Sequence, residues 1–558
     1  MDGVMLNKTG AELQRELQTG YIIKIYQPHQ QVVNIEFRCQ HRNKNLYIFL
    51  HPSDQGIFLA DYNMDNPPKP PSFTMLLRKY LQGMPLDKIE QRGLDRMLVF
   101  HFGSFQLIVE LMGRHANLAL VKEGKVLGVL KPQGEESQRP ISPGLPYNPP
   151  PAQGKYDPWE IPWERLKGEN GDKKIWRLLF DNIEGIGPKT AKDLVVRAEL
   201  DPEEKVDNLG EQQMDNVKEV VSWLENFLAT SPPDPTALYE DEELFEVFPF
   251  EPVAWPEMEK RKFATLSQLL GTTIIQNWEK NQLQGKKNQL QKLVNKEVKK
   301  KERKLQKLQA DLREARGSET LKVKGELLTA YAHKIKKGDQ VVELPNYYQD
   351  NSPIEIKIKP ELSPHANAQK YFKQYHKKKK ALKHLKKQLA LTRRELRYLE
   401  EANHYLDQAD SLREVWELEE EFKETGVITI RRKKSSPDIK SKPRQFETSD
   451  GRTILVGRNN RQNEELFRKA KPHDLWFHTR EIPGSHVIIK TEKLAVNDED
   501  LLKAASLAAF FSKGRQDSKV AVDYTEVKNL KKPKGSPLGF VHYENYRTIL
   551  APPELPGS

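Results

Sequence analysis

Between Tyr375 and Leu406 apolar positions recur in two interleaved rows of period seven, Tyr375, Leu382, Leu389 and Leu396 in one, Leu385, Thr392, Leu399 and Leu406 in the other. A 3-4 spacing of this kind brings both rows onto one seam and predicts a long helix that pairs with another. Upstream, Leu290, Val294, Val298, Leu305, Leu308 and Leu312 fall on one helical face. Two such helices separated by an insertion predict an antiparallel coiled-coil hairpin over residues 266–434. Inside the insertion, Ile354, Ile356 and Ile358 alternate as in a strand, and Leu344-Pro345 followed by Asn-Tyr-Tyr reads as a turn. A small β-containing middle module is therefore expected at about residues 320–370. Tyr347 and Tyr348 are read as part of its core ahead of a base-stacking surface.

The rest of the chain mixes periods of two and of 3.6. Over residues 1–172, strands are predicted at 21–26, 31–38, 45–50, 97–102, 106–111, 116–121 and 125–130, with helices at 11–17 and 74–81 and proline-rich loops at 67–71 and 149–151. An α+β domain follows from that mixture. In residues 173–265, two apolar helical segments flank Gly185-Ile186-Gly187, with Ala191, Leu194 and Val195 on an inner face. This reads as a helix-hairpin-helix domain whose Gly185 and Gly187 amides, with Lys189, hold a phosphate, or as a glycine turn between two packed helices. Residues 435–558 alternate strands (453–456, 486–489, 521–524) with helices (463–470, 498–512), a second compact α+β domain.

Charge changes this picture most in the predicted arm. The whole chain of 558 residues has 90 Lys and Arg against 79 Asp and Glu. From Tyr371 to Tyr398 there are eleven basic residues and one acid, Glu395, and from Lys286 to Arg316 twelve basic residues and four acids. The remainder is net acidic, so the positive charge is polarised onto the arm. Lys377–Lys380 surround one helical turn, and like charges at that density repel unless a polyanion lies opposite, which makes nucleic acid the expected partner of Lys373, Lys377, Lys378, Lys379, Lys380, Lys383, Lys386 and Lys387. A single cysteine, Cys39, leaves no disulfide framework or thiolate zinc finger, and the N-terminal stretch has no apolar signal core. A cytoplasmic protein is expected.

Candidate chemistry is sparse. No Gly-x-x-x-x-Gly-Lys-Ser/Thr loop occurs, so no nucleotide-driven cycle is expected. His473, Asp474, His478 and His486 lack the i, i+4 pairing of zinc hydrolases. Arg458, Arg461, Arg480, Lys513 and Arg515, interleaved with Trp476, Phe477 and Phe511, fit an RNA surface better. Asp95-Arg96, before one strand, and Glu110, Gly113, Arg114, His115 and Asn117, in and after another, stand out as polar groups, although an adjacent Asp-Arg is ordinarily a local ion pair.

Five segments together carry a family resemblance: DLWFHTREIPGSHVII (474–489), KGELLTA with VELPNYY, SPHANAQKYFKQYHKKKKA, GLDR and ELMGRHAN. In this order, over essentially the whole chain, they resemble the NFACT family. The resemblance implies a multidomain α+β architecture: a glycosylase-like NFACT-N domain, a helix-hairpin-helix domain, a long antiparallel coiled coil with a small middle module, and a C-terminal NFACT-R domain. It implies binding to the large (50S) ribosomal subunit and its 23S rRNA when that subunit holds a stalled peptidyl-tRNA. It further implies recruitment of alanine tRNA for untemplated alanine tailing that marks the chain for degradation, with a small S4-like RNA-binding protein assisting. By that resemblance Asp95, Arg96, Glu110, Met112, Arg114 and Asn117 contact tRNA, and Asp474, Trp476, His478, Arg480 and His486 form the NFACT-R motif. Leu111 and Ala116 stand where relatives commonly carry Ile and Ser. No catalytic residue, metal or cofactor is implied, since ribosomal RNA would make the peptide bonds, and the protein is expected to act as a monomer on the ribosome, without a membrane.

Two rival readings belong to other classes. The formamidopyrimidine glycosylases, whose fold the NFACT-N domain is similar to, use an N-terminal proline amine and commonly a four-cysteine zinc finger. This chain begins Met1-Asp2-Gly3 and has Cys39 alone, which excludes that activity. A fibronectin-binding surface adhesin, the label some family members carry, would need export without a signal segment. A large-subunit sensor or scaffold that does not tail is the third possibility.

Overall fold

The computed structural model describes residues 1–428 and 441–555, apart from 135, 152, 337 and 493, and the backbone alone of 315 and 316. The expected boundary at 434 and 435 lies outside the described residues. Compact packing divides the chain into two units, Met1–Lys280 and Asn281–Ser558.

The first unit opens with α1 (Gly3–Leu17), followed by the antiparallel meander β1 (Tyr21–His29), β2 (Val32–Cys39), β3 (Arg42–His51) and β4 (Asp54–Leu59). After α2 (Ser72–Leu81) comes a second antiparallel sheet of β5 (Lys88–Gln91), β6 (Met97–Phe102), β7 (Phe105–Glu110), β8 (Asn117–Lys122) and β9 (Lys125–Val129). Strand alternation decides the packing. Val33, Ile35 and Phe37 of β2 and Leu46, Ile48 and Leu50 of β3 share one core with Leu98, Phe100, Leu107 and Val109 of the second sheet and with Leu6, Leu13 and Leu17 of α1. The opposite face of the first sheet carries Val32, Tyr47, Phe49 and Phe58. These are covered by Leu270, Ile274 and Trp278, spaced four apart on a long helix introduced below, so both faces are buried and the strands read as nearly continuous apolar runs.

Next come α3 (Trp163–Glu169), α4 (Ile175–Asn182), α5 (Pro188–Arg197) and α6 (Glu211–Ala229), then a small sheet of β10 (Thr236–Glu240), β11 (Glu243–Phe248) and β12 (Glu259–Lys262). The expected inner face of α5 is the observed one: Ala191, Leu194 and Val195 are fully buried. Here α1 approaches the α4–α5 turn so closely that Gly3 and Val4 both donate backbone N–H bonds to the Gly185 carbonyl, at 2.8 and 3.2 Å. A Cβ on Gly3 would stand 1.8 Å from the Leu94 carbonyl oxygen and 2.6 Å from the Gly185 Cα. Gly3→Ala is therefore expected to cost about 3 kcal/mol, because backbone and not a flexible side chain must yield. An unfolding midpoint in denaturant unchanged from wild type would refute this.

The 51-residue helix α7 (Leu266–Arg316) starts in the first unit, where the buried Glu12 carboxylate accepts the Leu266 and Ser267 amides at 2.8 and 2.9 Å. The second unit continues with α8 (Ser318–Ala330), the hairpin β13 (Val341–Asn346) and β14 (Ser352–Lys357), α9 (Pro364–Gln408) and α10 (Leu412–Glu424). The predicted antiparallel pairing is present. Gln291 meets Asp407 at 2.5 Å, Asn403 meets Asn295 at 2.8 Å and Lys301 meets Glu395 at 2.5 Å, partners that rise along α7 as they fall along α9. Leu389, Thr392, Leu399 and Leu406 are buried on the predicted seam. Val415, Leu418 and Phe422 of α10 close the root of the hairpin against Leu290, Val294, Leu399 and Ala402.

The middle module packs Leu327 and Leu328 of α8 against Val342, Leu344, Ile356 and Ile358, as the alternation requires. Tyr347 and Tyr348 do not join that core. They occupy the β13–β14 turn, 46% and 56% exposed, with ring centroids 4.5 Å apart, because the turn carries them past the last pair of the hairpin.

C-terminally, β15 (Arg444–Glu447), β16 (Thr453–Val456), α11 (Asn460–Lys469), β17 (Leu475–Thr479), β18 (Val487–Ile489), α12 (Asp498–Phe510), β19 (Val520–Glu526), β20 (Leu530–Lys531), β21 (His542–Tyr543) and β22 (Arg547–Ala551) follow. Six strands form an antiparallel sheet in the order β15-β16-β18-β17-β19-β22. One face buries Ile454, Val456, Phe477 and Val522 beneath the alanine-rich α12, while Trp476 and Ile488 face α11 on the other.

Candidate nucleic-acid interface

Two polar motifs fifteen residues apart in sequence are neighbours at one end of the β6–β7 hairpin. Met97 pairs with Glu110 across the strands, and the Leu111 amide donates to the Arg96 carbonyl at 2.8 Å, so Asp95-Arg96 and the Met112–His115 turn leave the sheet side by side. Gly113 has φ +60°, and its amide and carbonyl are clipped by the Gln55 side chain at 2.9 and 2.6 Å. That clip holds Arg114 exposed, its Nε donating to His115 Nε2 at 3.0 Å. Asp95 and Arg96 are half-buried.

Not every expected contact residue is free to act. Glu110 is 1% exposed, takes both Arg139 guanidinium nitrogens at 2.5 and 2.8 Å, and accepts the Tyr147 hydroxyl at 2.7 Å. Its lone pairs are thus held inside the protein, and it braces the strand end without meeting a base. Asn117, also buried, bridges β8 to Lys131: its amide donates to the Lys131 carbonyl at 2.8 Å and its oxygen accepts the Lys131 amide at 2.9 Å. Met112 packs against the cluster around Met97 and Ile108. Of the six, Asp95, Arg96 and Arg114 keep usable polar groups.

Asp95 and Arg96 open onto a cleft of about 490 Å³ shared with Met1–Gly3, Lys155 and the Gly185–Thr190 turn. Here the phosphate reading of the hairpin fails. The Gly187 amide donates to the Asp2 carboxylate at 3.0 Å and the Thr190 hydroxyl does so at 2.6 Å, so a carboxylate of this chain already sits at the N-terminus of α5. Gly185 offers its carbonyl to α1, and the Lys189 ammonium is bound to the Phe245 carbonyl at 2.7 Å, over the Phe245 ring. Two further groups near Asp95 are not singled out by sequence pattern: Lys155, which lines the cleft, and Glu184. Burial lowers the Lys155 ammonium, whose Nζ lies 2.6 Å from the Phe180 carbonyl, and burial followed by the Asp95 charge raises the Glu184 carboxyl. Both lie outside any periodic element edge, and nothing in their spacing marks them. A carboxylate, Asp95, and two cations, Arg96 and Lys155, thus share one concave surface.

The arm supplies a second surface. Lys373, Lys377, Lys379, Lys380, Lys383, Lys386 and Lys387 are exposed and Lys378 is half-buried. None of the eight has a salt-bridge partner among the described residues, and Glu395, the one acid in the run, is taken by Lys301.

The family description "NFACT N-terminal and middle domains" matches residues 2–441, and "NFACT protein RNA binding domain" matches residues 442–541. The chain belongs to the NFACT family. It is 33% identical to the Rqc2 homolog RqcH of Bacillus subtilis (strain 168) and 35% identical to that of Streptococcus suis (strain 05ZYH33), each over 99% of this chain and 98% of the relative. Among solved structures, the C-terminal part of the fibronectin/fibrinogen-binding protein from Streptococcus suis is 38% identical, covering 49% of this chain and 96% of that one with a TM-score of 0.40.

Within the NFACT RNA-binding domain, Trp476, His478 and His486 of the motif come together as an interior, while Asp474 and Arg480 lie apart from them. Trp476 is 1% and His486 4% exposed, and the His478 ring stacks on Trp476 at 5.8 Å while His486 meets it edge-on at 5.3 Å. Burial lowers both imidazoles. Asp474 accepts the Lys471 and Thr491 amides at 2.8 and 3.1 Å, tying a turn to the end of β18. Arg480 is exposed but paired with Asp523 at 2.9 Å. As an RNA surface the motif is corrected to a packing core, because the alternation of β17 turns Trp476 beneath α11 and buries Phe477 beneath α12.

This core locks onto the root of the arm. Tyr405 of α9 donates its hydroxyl to the Gly484 carbonyl at 2.8 Å and accepts the Asn463 amide at 2.6 Å. Burial raises the neighbouring Glu401 carboxyl to about 8, with Arg397 opposing and Glu421 and Glu400 adding to the rise. The native state thus keeps a proton that the unfolded chain releases near 4.5, so stability falls as pH rises through that window and levels above about 8. Glu401→Gln is expected to raise the unfolding midpoint at about pH 9 more than at about pH 5. Equal shifts at the two pH values would contradict it.

Proposed function

We propose that this NFACT protein is a ribosome-associated quality-control factor of the cytoplasm. It binds a large ribosomal subunit obstructed by peptidyl-tRNA and recruits alanine tRNA, so that untemplated alanines extend the stalled chain and mark it for degradation. The observation that carries this reading is the meeting of Asp95-Arg96 with the Arg114 turn at the rim of a cleft, on a chain similar over nearly its full length to Rqc2 homologs. Asp95 reads base N–H donors, Arg96 and Arg114 hold phosphates or base edges, and Lys155 adds charge from the cleft wall. The arm lysines meet 23S rRNA, and a small S4-like protein assists. The protein's contribution is positional: it lowers the entropic cost of bringing tRNA to the subunit, and ribosomal RNA makes the bond.

Purification of tagged protein from cells tests the proposal. Large subunits, enriched alanine tRNA and alanine-extended peptides should co-purify. Subunits without tRNA would make the protein a sensor or scaffold, and absence of subunits would end the ribosomal reading and return the adhesin. The arm makes a separate prediction. Replacing Lys377–Lys380 by glutamine should lower the slope of log affinity for large subunits against log salt by about 3, since four phosphate contacts are lost. An unchanged slope would place the contact elsewhere.

A further inference from the structure

The family match gives residues 442–541 an RNA-binding role without saying where RNA sits, and Asp474, Trp476 and His486 of the expected motif are buried. A different surface of the domain has the required chemistry. Two clefts, of about 340 and 960 Å³, meet at Ser441–Gln445, the segment leading into the edge strand β15. The first has an apolar floor of Leu455, Leu466 and Ile488. These side chains share one sheet face with α11 because Leu455 and Ile488 are direct cross-strand partners. The second is walled by Phe510 and Phe511, with the Arg515 guanidinium 3.9 Å from the Phe510 ring centre and Arg444 4.6 Å from that of Phe511.

Charge decides what such a trough accepts. Its acids pair within the protein: Glu417 takes the Ser441 hydroxyl at 2.6 Å, Asp474 takes two backbone amides, Glu465 pairs with Lys469, Glu414 pairs with Arg458, and Asp410, though largely exposed, lies 3.7 Å from both Arg444 and Arg458. Lys442, Lys490 and Arg515 are exposed and have no carboxylate partner among the described residues. The two clefts are lined by eight basic and five acidic side chains, so the rim above the apolar floors is net positive.

We propose that the C-terminal domain binds single-stranded RNA in this trough, bases laid on the half-buried Leu455 and the Phe510 wall, phosphates on Lys442, Lys490 and Arg515. Unstacked bases are needed to reach the floors, and a duplex keeps its bases inside, so the trough selects single strands and tolerates sequence. The inference rests on the family's RNA-binding assignment and not on tRNA recruitment by the N-terminal cleft.

Crosslinking on the full chain tests it. Lys377–Lys380 are first changed to glutamine to quiet the arm, and a 4-thiouridine-labelled single-stranded RNA is then photocrosslinked and the modified peptides mapped. Crosslinks are expected in peptides containing Leu455 or Phe510, and Lys442→Gln/Lys490→Gln/Arg515→Gln should lower their yield at least about tenfold. Crosslinks confined to other segments, an unchanged yield in the triple variant, equal labelling by a duplex, or displacement by an acidic peptide as effective as by RNA would each overturn the proposal. The three side chains are exposed, and an unchanged unfolding midpoint confirms that a lost crosslink is not a lost fold. Alanine tRNA co-purification should persist in the triple variant, and its loss alone would count against the N-terminal reading, not this one.

Discussion

Protein carrying Asp95→Ala and Arg96→Ala should still purify with large ribosomal subunits while co-purified alanine tRNA falls by at least about 100-fold, the lower bound from losing two charge-assisted hydrogen bonds at about 1.5–3 kcal/mol each. The fold should survive, because the contact that joins the two motifs runs through the Arg96 carbonyl and the Leu111 amide, which alanine retains. Sequencing of the bound tRNA and mass spectrometry of the nascent chains read the result. Wild-type tRNA recovery with the double variant would remove this cleft from tRNA recognition. If the subunits vanished as well, the cleft would contribute to ribosome binding and its assignment would have to change.

The largest stability effect is expected at Arg139, not at a residue that touches RNA. Arg139→Ala leaves the Glu110 carboxylate buried with the Tyr147 hydroxyl as its one side-chain partner among the described residues, a loss of about 3–5 kcal/mol. Denaturant unfolding of the full chain should show it as an early loss of the first unit's signal. Replacing both partners, Glu110→Met with Arg139→Met, should recover much of that loss, since the unpaired buried charge is gone. A double variant as unstable as Arg139→Ala alone would mean that Arg139 acts through packing instead. The same experiment separates two explanations of any tRNA defect at Glu110: a bracing residue fails together with stability, whereas a contact residue fails without it.

Legibility in the sequence followed the range of the interaction. The heptad rows of α9 and the apolar runs of β3 and β6 are local patterns that packing preserves, and the predicted strand at 97–102 coincides with β6. Strands β4 and β5 went unpredicted because Asp54–Leu59 and Lys88–Gln91 are short and have little alternation; they form by pairing with β3 and β6. The site divides in the same way. Asp95, Arg96 and Arg114 were visible as a motif, and the structure adds that they adjoin. The roles of Glu110 and Gly187 were not visible, since their partners Arg139 and Asp2 lie 29 and 185 residues away in segments without periodicity. Trp476 and His486 misled for a related reason: aromatic and imidazole groups beside arginines suit RNA and a polar-capped core equally until strand register says which way they point.

The hydroxyl of Tyr405 fastens the 45-residue α9 to the sheet domain near the helix's C-terminal end. At 1.5 Å per residue the helix is about 68 Å long, so each degree of rotation at that fastening moves its far end by about 1 Å. A helix anchored this way is a lever: small adjustments in the loop around Gly484, rotations of a few degrees, become displacements of several ångströms at the middle module, which packs on its far end through Ala368, Tyr371 and Phe372.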